Sequence, residues 1–376
     1  MSMPTRDTER NIDGSYGEGG GQLLRTAVSL AAATGFAVRI HSIRARREPP
    51  GLAPQHLAAV RAACEMCHGH VEGDLLRSQE ITFAPGRMEG GEYTFDIGTA
   101  GSITLLLQAL LPMMVAAQKP FRVEVIGGTD VRAAPPFDYF RNVLMPLLAS
   151  VGVNATLTLL QRGYYPRGGG VVEAAVSPGR LRAMTLENPG ALLEVGGIAH
   201  VAHLSTEIAG RMRTSALASL GDLNVPEECV ILDRERALGR GGAVVLWARC
   251  EQSVLGAGRA AERGTRAEVL GSDTGAALRA EVMAHTALDV HAADQILVYL
   301  ALTDGTSYFT TREATEHALT AMWLIEQFLP VRFSVEPVDG RVRIRVSRQS
   351  TSTAEIERDP RKRIVPSRIE SAPRSV

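Results

Sequence analysis

A faint internal repeat with a period of about 80 residues constrains the fold of this chain more than any other sequence feature. Glycine-rich segments at 17–22 and 98–102 each precede an apolar helical run, and a third unit starts near Ala280. The spacing of apolar residues in each unit predicts helix–strand–helix–strand–strand, with an initial strand possible. We therefore expect an α+β fold in which three such units form a large domain.

Residues 184–275 interrupt this repeat. They contain a strand-like run, ALLEVGGIAHVAHL, a helix-like run, TEIAGRMRTSALASLG, and two further strand-like runs, ECVILDR and GAVVLWARC. The pattern predicts a smaller inserted α/β domain, so that the large domain comprises residues 1–183 and 276–350. The tail at 351–376 is polar and contains proline, and we expect it to be disordered and solvated.

Composition and charge exclude several classes of protein. Apolar residues make up 45% of the 376 residues, which is ordinary for a globular protein, and the net charge of −1 gives no overall basic field for nucleic acid. The longest apolar stretches are broken before the length of about 18 residues that a membrane span needs. The N-terminus lacks an apolar signal core, so we expect a cytoplasmic protein.

Lysine is nearly absent from the chain. The 40 basic residues include only two lysines, Lys119 before a proline and Lys362 in the polar tail. The sequence also lacks the GxxxxGK[ST] phosphate loop. These observations exclude mechanisms that need a lysine in a formed pocket, such as a Schiff base or a lysine nucleophile. A codon bias towards arginine explains the composition and leaves this exclusion in place.

One cysteine and histidine cluster suggests a metal or redox site at first reading. Cys64, Cys67, His68 and His70 lie close together in the sequence, but no second ligand pair follows at zinc-finger spacing. We therefore interpret the cluster as packing at the end of a helix.

Two segments near the N-terminus have the composition of an anion site. A glycine cluster that opens a helix exposes backbone N–H groups, and near it Glu18 could bind Mg²⁺ while Arg25 could reach a phosphate oxygen. Arg44 and Arg46 are expected on one face of a strand end, where guanidinium groups recognise polyanions. Tight turns and a solvated sheet edge are the structural alternatives.

Further loops, GGTD with the following APP and GYYPRGGG, are explained individually by turn chemistry, but several such loops at strand ends suggest a shared cleft. His317 follows Thr315, a plausible N-cap residue, so it should lie in the first turn of a helix. There the helix dipole should lower the pKa of the imidazole and keep it neutral. An interfacial histidine with satisfied hydrogen bonds is the alternative.

Taken together, the motifs resemble those of the RNA 3′-terminal phosphate cyclase family. The resemblance covers residues 11–348, and the motifs agree in order and spacing: EGGGQLLR, SIRARREPPGLAPQHL, GTAGSITLLLQALLP, GGTD with APP, GYYPRGGG, HAADQ and EHALTAMWLIEQFLPVRF. It implies three repeated βαβαββ-type units with a small inserted α/β domain. It also implies ATP-dependent conversion of an RNA 3′-phosphate to a 2′,3′-cyclic phosphodiester, with Mg²⁺ or Mn²⁺ and through histidyl-AMP and RNA(3′)pp(5′)A intermediates.

The resemblance also implies roles for particular residues. His317 matches the histidine that becomes adenylylated, and Glu18 matches an acidic residue near the metal and the triphosphate. The phosphate cleft and the nucleotide pocket would comprise Arg25, Arg44, Arg47, Gln55, Gln108, Pro135, His291, Ala292, Ala293, Asp294 and Gln295. The chain departs from some relatives at His291, where they have tyrosine, at Arg132 and in the TTREAT segment before His317.

Two other classes of protein would have the same repeated architecture. A non-catalytic cyclase-like protein of ribosome assembly would lack the nucleophilic histidine, which His317 argues against. An enolpyruvyl transferase also uses an arginine-rich cleft, but it would leave HAADQ and His317 unexplained. The cyclase reading predicts that Glu18, Arg44, Arg47, Gln108, Asp294 and His317 converge in one pocket.

Overall fold

A computed structural model describes residues 9–349 except 224 and 227–229. The predicted disordered tail at 351–376 lies outside these residues. The described chain forms four mixed sheets of four strands each, together with helices, which confirms a mixed fold of helices and sheets. Among the described residues, no helix is both long and apolar enough to cross a membrane.

The first sheet is built by residues 9–84. Its strands lie in the order β1-β2-β4-β3, with β1 parallel to β2 and the remaining pairs antiparallel. The elements in chain order are β1 (Glu9–Asp13), α1 (Gly21–Thr34), β2 (Ala37–His41), α2 (Pro54–Met66), β3 (His70–Glu72) and β4 (Ile81–Ala84).

The second sheet repeats this order along residues 91–177, as β5-β6-β8-β7 with only the first pair parallel. Its second helical segment is interrupted by a wider π-type turn at Phe140–Leu144. The elements are β5 (Gly91–Asp96), α3 (Ile103–Ala117), β6 (Phe121–Gly127), α4 (Phe137–Tyr139), α5 (Met145–Ser150), β7 (Asn154–Gln161) and β8 (Gly170–Ser177).

A sheet of different order follows the short strand β9 (Thr185–Leu186). Its strands lie in the order β11-β10-β12-β13, and two helices pack closely against each other beside it. The elements are β10 (Leu192–Ala202), α6 (Thr206–Leu220), a 3₁₀ turn (Gly221–Leu223), β11 (Val230–Arg234), β12 (Gly241–Cys250), β13 (Val254–Ala260) and α7 (Ala267–Met283).

The remaining sheet returns to the order of the first two. It reads β9-β14-β16-β15, with β9 parallel to β14. Its other elements are α8 (Val290–Ala301), β14 (Ser307–Thr311), α9 (Glu316–Phe328), β15 (Val331–Val338) and β16 (Arg341–Arg348). The chain thus leaves this sheet after β9, builds the differently ordered sheet and returns at α8.

The buried apolar residues form two clusters. The larger joins the three sheets of shared order, and α3 lies at its centre because its ITLLLQALLPMMVAA run is apolar on nearly every face. The smaller cluster joins β10, β12 and β13 to α6 and α7. Each cluster is a hydrophobic core in the sense that its members are removed from water together.

Two elements cross the predicted domain boundaries. β9 begins after residue 184 but pairs with β14, and α7 runs without interruption across residue 275. The division into residues 1–183 with 276–350 and residues 184–275 stays a prediction. The boundaries at residues 184 and 275 rest on glycine and apolar patterns in the sequence, and such patterns contain no information about strand pairing.

The predicted strand end at Arg44 is wrong. β2 ends at His41, and Arg44 lies in the following loop with φ of 51°, the left-handed region. Arg46 and Arg47 belong to the same loop, so the strand alternation used to orient these side chains does not apply. Two backbone carbonyls accept hydrogen bonds from Arg44 Nη1, of Pro49 at 3.2 Å and Gly51 at 2.7 Å, and these contacts hold the loop closed.

Candidate active site

His317 lies where the sequence placed it, in the first turn of α9. The N-cap residue is Thr315, whose Oγ1 accepts a hydrogen bond from the backbone N–H of Ala318 at 3.0 Å. The His317 side chain is 48% exposed, so it is open to a ligand while its backbone is fixed by the helix.

Glu18 is the direct partner of His317 although 299 residues separate them. Glu18 Oε2 lies 3.0 Å from His317 Nδ1. Glu18 belongs to the glycine-rich loop before α1, where Gly17 has φ of 57° and a Cβ at that position would lie 2.2 Å from Thr320 Oγ1 on α9. Glycine therefore allows the loop to approach α9. The tautomer that donates Nδ1–H to Glu18 leaves the lone pair on Nε2.

The prediction that the helix dipole lowers the pKa of His317 is wrong. The hydrogen bond to Glu18 raises this pKa, and the negative charges of Glu18 and Asp294 add to the effect, while burial and the charge of Arg25 oppose it. A carboxylate in direct contact outweighs the partial charge of a helix end. The same contact lowers the pKa of Glu18.

Arg25 brings an unpaired positive charge into this region. The residue is only 8% exposed, and its Nε donates no hydrogen bond to any atom of the described chain. Burial lowers the pKa of Arg25 to about 10, against the opposing effect of Glu18, so the guanidinium is still charged at neutral pH. A buried cation with free donor capacity is suited to bind an anion.

His56 lies beneath the start of α1 and was not assigned to the site from the sequence. A Cβ on Gly21 would lie 2.1 Å from His56 Nε2, so glycine is required for this close packing. Burial lowers the pKa of His56 to about 3, and the charges of Arg25 and Arg44 act in the same direction. His56 is therefore neutral, and its Nδ1 accepts the backbone N–H of Ala53 at 3.1 Å.

Arg47 completes one side of the site. Its Nη2 forms an ion pair with Glu18 Oε1, the carboxylate oxygen that His317 does not contact. Gln55, also predicted for the phosphate cleft, lies further along, and its Oε1 accepts the backbone N–H of Ser102 at 3.4 Å. Gln55 thus connects α2 to the start of α3.

The opposite side of the site is formed by α8. Asp294 Oδ1 accepts a hydrogen bond from Thr315 Oγ1 at 2.6 Å, which connects α8 to the cap of α9. Burial raises the pKa of Asp294 to about 7. Gln108 Nε2 donates to Gln295 Oε1 at 2.6 Å. These side chains belong to one cavity, which is lined by Gln22, Arg25, Thr26, Gln108, Phe140, Leu144, Asp294, Gln295, Val298, Tyr299, Ala321 and Ile325.

Other predicted nucleotide residues lie at the start of α8. His291 is exposed, and its ring makes an edge-on contact with Tyr139 at 6.4 Å between ring centres. The side chains of Ala292 and Ala293 are buried, at 0% and 1% exposure, and supply packing rather than a polar group. The carbonyl of Pro135 accepts a hydrogen bond from Thr104 Oγ1 at 2.8 Å.

Asp289 supports this helix start and was also missed from the sequence. Its Oδ1 accepts the backbone N–H groups of His291 and Ala292 and the hydroxyl of Tyr139, and its Oδ2 accepts the N–H of Gly256. An aspartate directly before a helical run is an N-cap signal that could have identified it. Its contact with Tyr139, 150 residues away, has no sequence signal.

Direct contacts and one shared hydrogen bond connect four of the six residues predicted to converge, and Gln108 lines the cavity that also contains Asp294. Glu18 contacts both His317 and Arg47, and Asp294 is joined to the His317 helix through Thr315, whereas Arg44 serves its own loop. We call the region defined by Glu18, Arg25, Arg47, Asp294 and His317 the His317 cleft. A carboxylate-paired imidazole beside an unpaired guanidinium is an arrangement suited to chemistry on phosphate groups.

The comparisons with known proteins agree with this class. The model of the RNA 3′-terminal phosphate cyclase family matches residues 16–335. An RNA 3′-terminal phosphate cyclase of Nitrosospira multiformis is 52% identical over 338 residues, covering 89% of this chain and 96% of the relative. One of Methanopyrus kandleri is 44% identical, covering 88% and 96%. The chain belongs to the RNA 3′-terminal phosphate cyclase family.

A likeness to a solved structure is much weaker. The enolpyruvyl transferase of Streptomyces tendae superimposes with a TM-score of 0.38 and 12% sequence identity, covering 89% of this chain and 47% of that one. A likeness of this size establishes neither a shared fold nor a shared activity.

Proposed function

We propose that this chain converts an RNA 3′-terminal phosphate to a 2′,3′-cyclic phosphodiester at the expense of ATP, with His317 as the nucleophile. The single observation that carries the proposal is the contact between Glu18 Oε2 and His317 Nδ1 at 3.0 Å. It fixes the ring and directs the free lone pair of Nε2 away from the carboxylate.

His317 performs the first step. Nε2 attacks the α-phosphorus of ATP, the new N–P bond forms, and the bond from that phosphorus to the bridging oxygen of pyrophosphate breaks. The proton on Nδ1 stays in the hydrogen bond to Glu18, which stabilises the positive charge that the ring acquires. The product is a phosphoramidate, a reactive carrier because the ring is a good leaving group.

The remaining steps return the histidine to its starting state. An oxygen of the RNA 3′-phosphate attacks the phosphorus of the histidyl-AMP and the N–P bond breaks, which gives RNA(3′)pp(5′)A. The neighbouring 2′-hydroxyl then attacks the RNA phosphorus, its proton is lost, and AMP leaves. This last attack is intramolecular, so proximity supplies much of its rate.

Arginine side chains supply the positive charge that these steps need. Arg25 is buried and unpaired, so it can bind phosphate oxygens without first breaking an ion pair. Arg47 holds one oxygen of Glu18 and lies at the more exposed rim. We assign Arg44 and Gln55 to shaping this side, because the contacts of both are with backbone groups.

The nucleotide would lie along α8. Gln108, Asp294 and Gln295 line the cavity that also contains Arg25, and they offer amide and carboxyl groups for hydrogen bonds. Pro135, whose carbonyl accepts from Thr104, and His291, in the first turn of α8, would supply flat or apolar contacts for a base. Ala292 and Ala293 would act by packing alone.

Glu18 is the residue that would hold a divalent cation. Its carboxylate is partly exposed at the mouth of the cleft and its pKa is lowered by the His317 hydrogen bond, so it is an ionised oxygen donor. Mg²⁺ is commonly bound by one or two carboxylates together with substrate phosphates, and this donor set fits it. A bound Mg²⁺ or Mn²⁺ would neutralise charge on the phosphates.

We also propose that the sheets of shared strand order are repeats of one βαβαββ unit and that the differently ordered sheet is a domain inserted into the third unit. The identical strand orders and the return of the chain at α8 support this view.

The test uses ATP labelled at the α-phosphate, a divalent cation and RNA with a 3′-phosphate. The wild-type chain should gain the mass of one AMP and cyclise the RNA. In His317→Ala, the rate of AMP attachment and the rate of RNA cyclisation should each fall at least about 10⁴-fold. The variant should still cyclise a pre-adenylylated RNA end in part, because that step needs proximity and charge rather than the nucleophile.

His70→Ala is the matched control, since His70 is exposed on β3 outside the cleft, and it should behave as wild type. Full labelling of His317→Ala, or a label that maps to Lys119, would contradict the mechanism.

A further inference from the structure

A second cluster of charged side chains lies away from the His317 cleft, between the second sheet and the differently ordered sheet. We call it the Arg162 cluster, and it consists of Asp130, Asp138, Arg162, His200 and Glu235. Asp130 follows β6, Asp138 belongs to α4 and His200 belongs to β10. The proposed reaction uses none of these residues.

Three ligand atoms in this cluster are buried without a hydrogen bond. Asp130 Oδ1, Asp138 Oδ2 and His200 Nε2 have no hydrogen-bond partner among the described residues, and their side chains are completely buried. Arg162 forms ion pairs with both aspartates, at 3.2 Å to Asp130 Oδ2 and 2.7 Å to Asp138 Oδ2. Asp138 Oδ2 therefore has a charged partner in Arg162, whereas Asp130 Oδ1 and His200 Nε2 stay unsatisfied, and buried polar atoms that stay unsatisfied point to a missing partner.

The charges of the cluster do not balance either. Asp130, Asp138 and Glu235 face the buried guanidinium of Arg162, and the partly exposed Arg141 donates to Asp138 Oδ1 at 3.0 Å, so three carboxylates meet two guanidinium groups. A buried excess of negative charge is costly unless a further cation is bound.

The geometry of the three atoms fits a metal ion. His200 Nε2 lies 3.8 Å from Asp130 Oδ1 and 3.6 Å from Asp138 Oδ2, and all three ligand atoms lie within 4.8 Å of one another. Tetrahedral coordination with bonds of about 2.1 Å places neighbouring ligand atoms about 3.4 Å apart. One imidazole with two carboxylates is a donor set for Zn²⁺, whereas Mg²⁺ prefers oxygen alone.

The support of His200 agrees with this use of the ring. Tyr164 Oη lies 2.9 Å from His200 Nδ1. If Nδ1 carries the proton and donates it to the tyrosine oxygen, the lone pair of Nε2 faces the two aspartates. Partners of this kind commonly orient histidine ligands of metals.

We propose that Asp130, Asp138 and His200 bind one divalent transition-metal ion, best matched by Zn²⁺. The ion connects the loop after β6 and the start of α4 to β10. It is a structural link between the second sheet and the sheet that contains β10, and it is separate from the cation at Glu18.

Cobalt binding tests this proposal directly. The full chain, with any purification tag removed, is stripped of metal and titrated with Co²⁺, whose visible absorption reports tetrahedral coordination. Glu18→Gln is used as the background, so that the proposed cation site of the His317 cleft does not contribute. We expect one Co²⁺ per chain, displaced by Zn²⁺, and X-ray absorption of the Zn²⁺ form should show nitrogen and oxygen ligands at about 2.0–2.1 Å.

Substitutions then locate the ion. His200→Gln and Asp138→Asn conserve size and should each weaken binding at least about 100-fold, since even residues that only support ligands cost 10- to 100-fold. His70→Ala, which alters the cysteine and histidine cluster at the end of α2, should bind as the background does. The proposal would be overturned if the background chain bound no Co²⁺ or if the spectra showed sulfur among the ligands. It would also be overturned if His70→Ala lost binding, or if both ligand variants bound Co²⁺ with unchanged affinity. The absorption spectra are recorded on a chain with all three ligand residues intact, so they test the proposal even if His200→Gln and Asp138→Asn fail to fold.

Discussion

The His317 cleft and the Arg162 cluster place a buried arginine in opposite surroundings. Arg25 is buried with its Nε unpaired, and burial lowers its pKa to about 10. Arg162 is 1% exposed and meets three carboxylates, which raise its pKa above the ordinary arginine value against the opposing effect of burial. Both side chains are charged, but only one is surrounded by its counterions.

This difference distinguishes an arginine that binds substrate from an arginine that stabilises the fold. An unpaired buried cation costs folding free energy, and that cost is recovered when an anion binds, so Arg25 fits a substrate site. A paired buried cation cannot be removed without leaving buried anions alone, so Arg162 fits a structural role. Burial alone would have assigned the two arginines to one class.

The largest expected effect follows from removing the paired arginine. Arg162→Met should lower the free energy of unfolding by about 3 to 5 kcal/mol, because Asp130 and Asp138 lose their buried partner. Denaturant titration measures this, with Arg167→Met as the control, since Arg167 is exposed and, among the described residues, donates only to the carbonyl of Leu238. A loss below about 1 kcal/mol would remove the contrast between the two regions.

The unpaired arginine should give the opposite pattern. Arg25→Met is expected to leave the unfolding free energy unchanged or raised, because the apolar methionine side chain needs no counterion there. The rate of AMP transfer to His317 should fall about 10²- to 10³-fold, as for loss of one donor to a developing charge. Thermal unfolding and single-turnover labelling measure the two quantities. Strong destabilisation together with normal labelling would reverse our assignment of Arg25.

The two regions also differ in how far the sequence predicted them. The His317 cleft was predicted because its residues lie in motifs at helix starts and glycine loops, and Thr315 and Gly17 have local signatures there. The loops GGTD and GYYPRGGG were expected to join a shared cleft. Instead they meet each other, since Thr129 and Gly163 are hydrogen-bonded, and they build the buried Arg162 cluster.

The features that could not be predicted from the sequence depend on contacts between segments that are distant in the chain. The helix periods and the order of elements could be read locally, because they follow from apolar spacing. The pairing of β9 with β14 could not, since more than 100 residues lie between those strands. The pKa of His317 was predicted in the wrong direction for the same reason, because Glu18 is 299 residues away in the chain.

The pH dependence of adenylylation tests the Glu18 contact. Only neutral His317 has a lone pair on Nε2, and its pKa is raised, so labelling should increase with pH until that raised pKa is passed. Below the midpoint the rate should change by up to about tenfold per pH unit. Glu18→Gln removes the carboxylate and should move the midpoint to lower pH. The midpoint is the readout, since Glu18 also serves the proposed cation, and an unchanged midpoint would show that Glu18 does not control the ring.

The smallest expected effect concerns the stability of the cleft itself. Burial raises the pKa of Asp294 to about 7, so between about pH 4 and pH 7 the folded chain holds a proton that the unfolded chain has lost. The stability that this protonated group contributes is therefore lost as pH rises through that range.

Asp294→Asn cannot ionise and can still accept the hydrogen bond of Thr315. Relative to wild type, its unfolding free energy should increase by about 1 to 2 kcal/mol from pH 5 to pH 8, less than the full shift because the side chain is not completely buried. Denaturant titrations of both chains at the two pH values measure this difference. A difference that is constant or decreases with pH would mean that Asp294 is ionised in the folded chain and that the α8 side of the cleft is negatively charged at neutral pH.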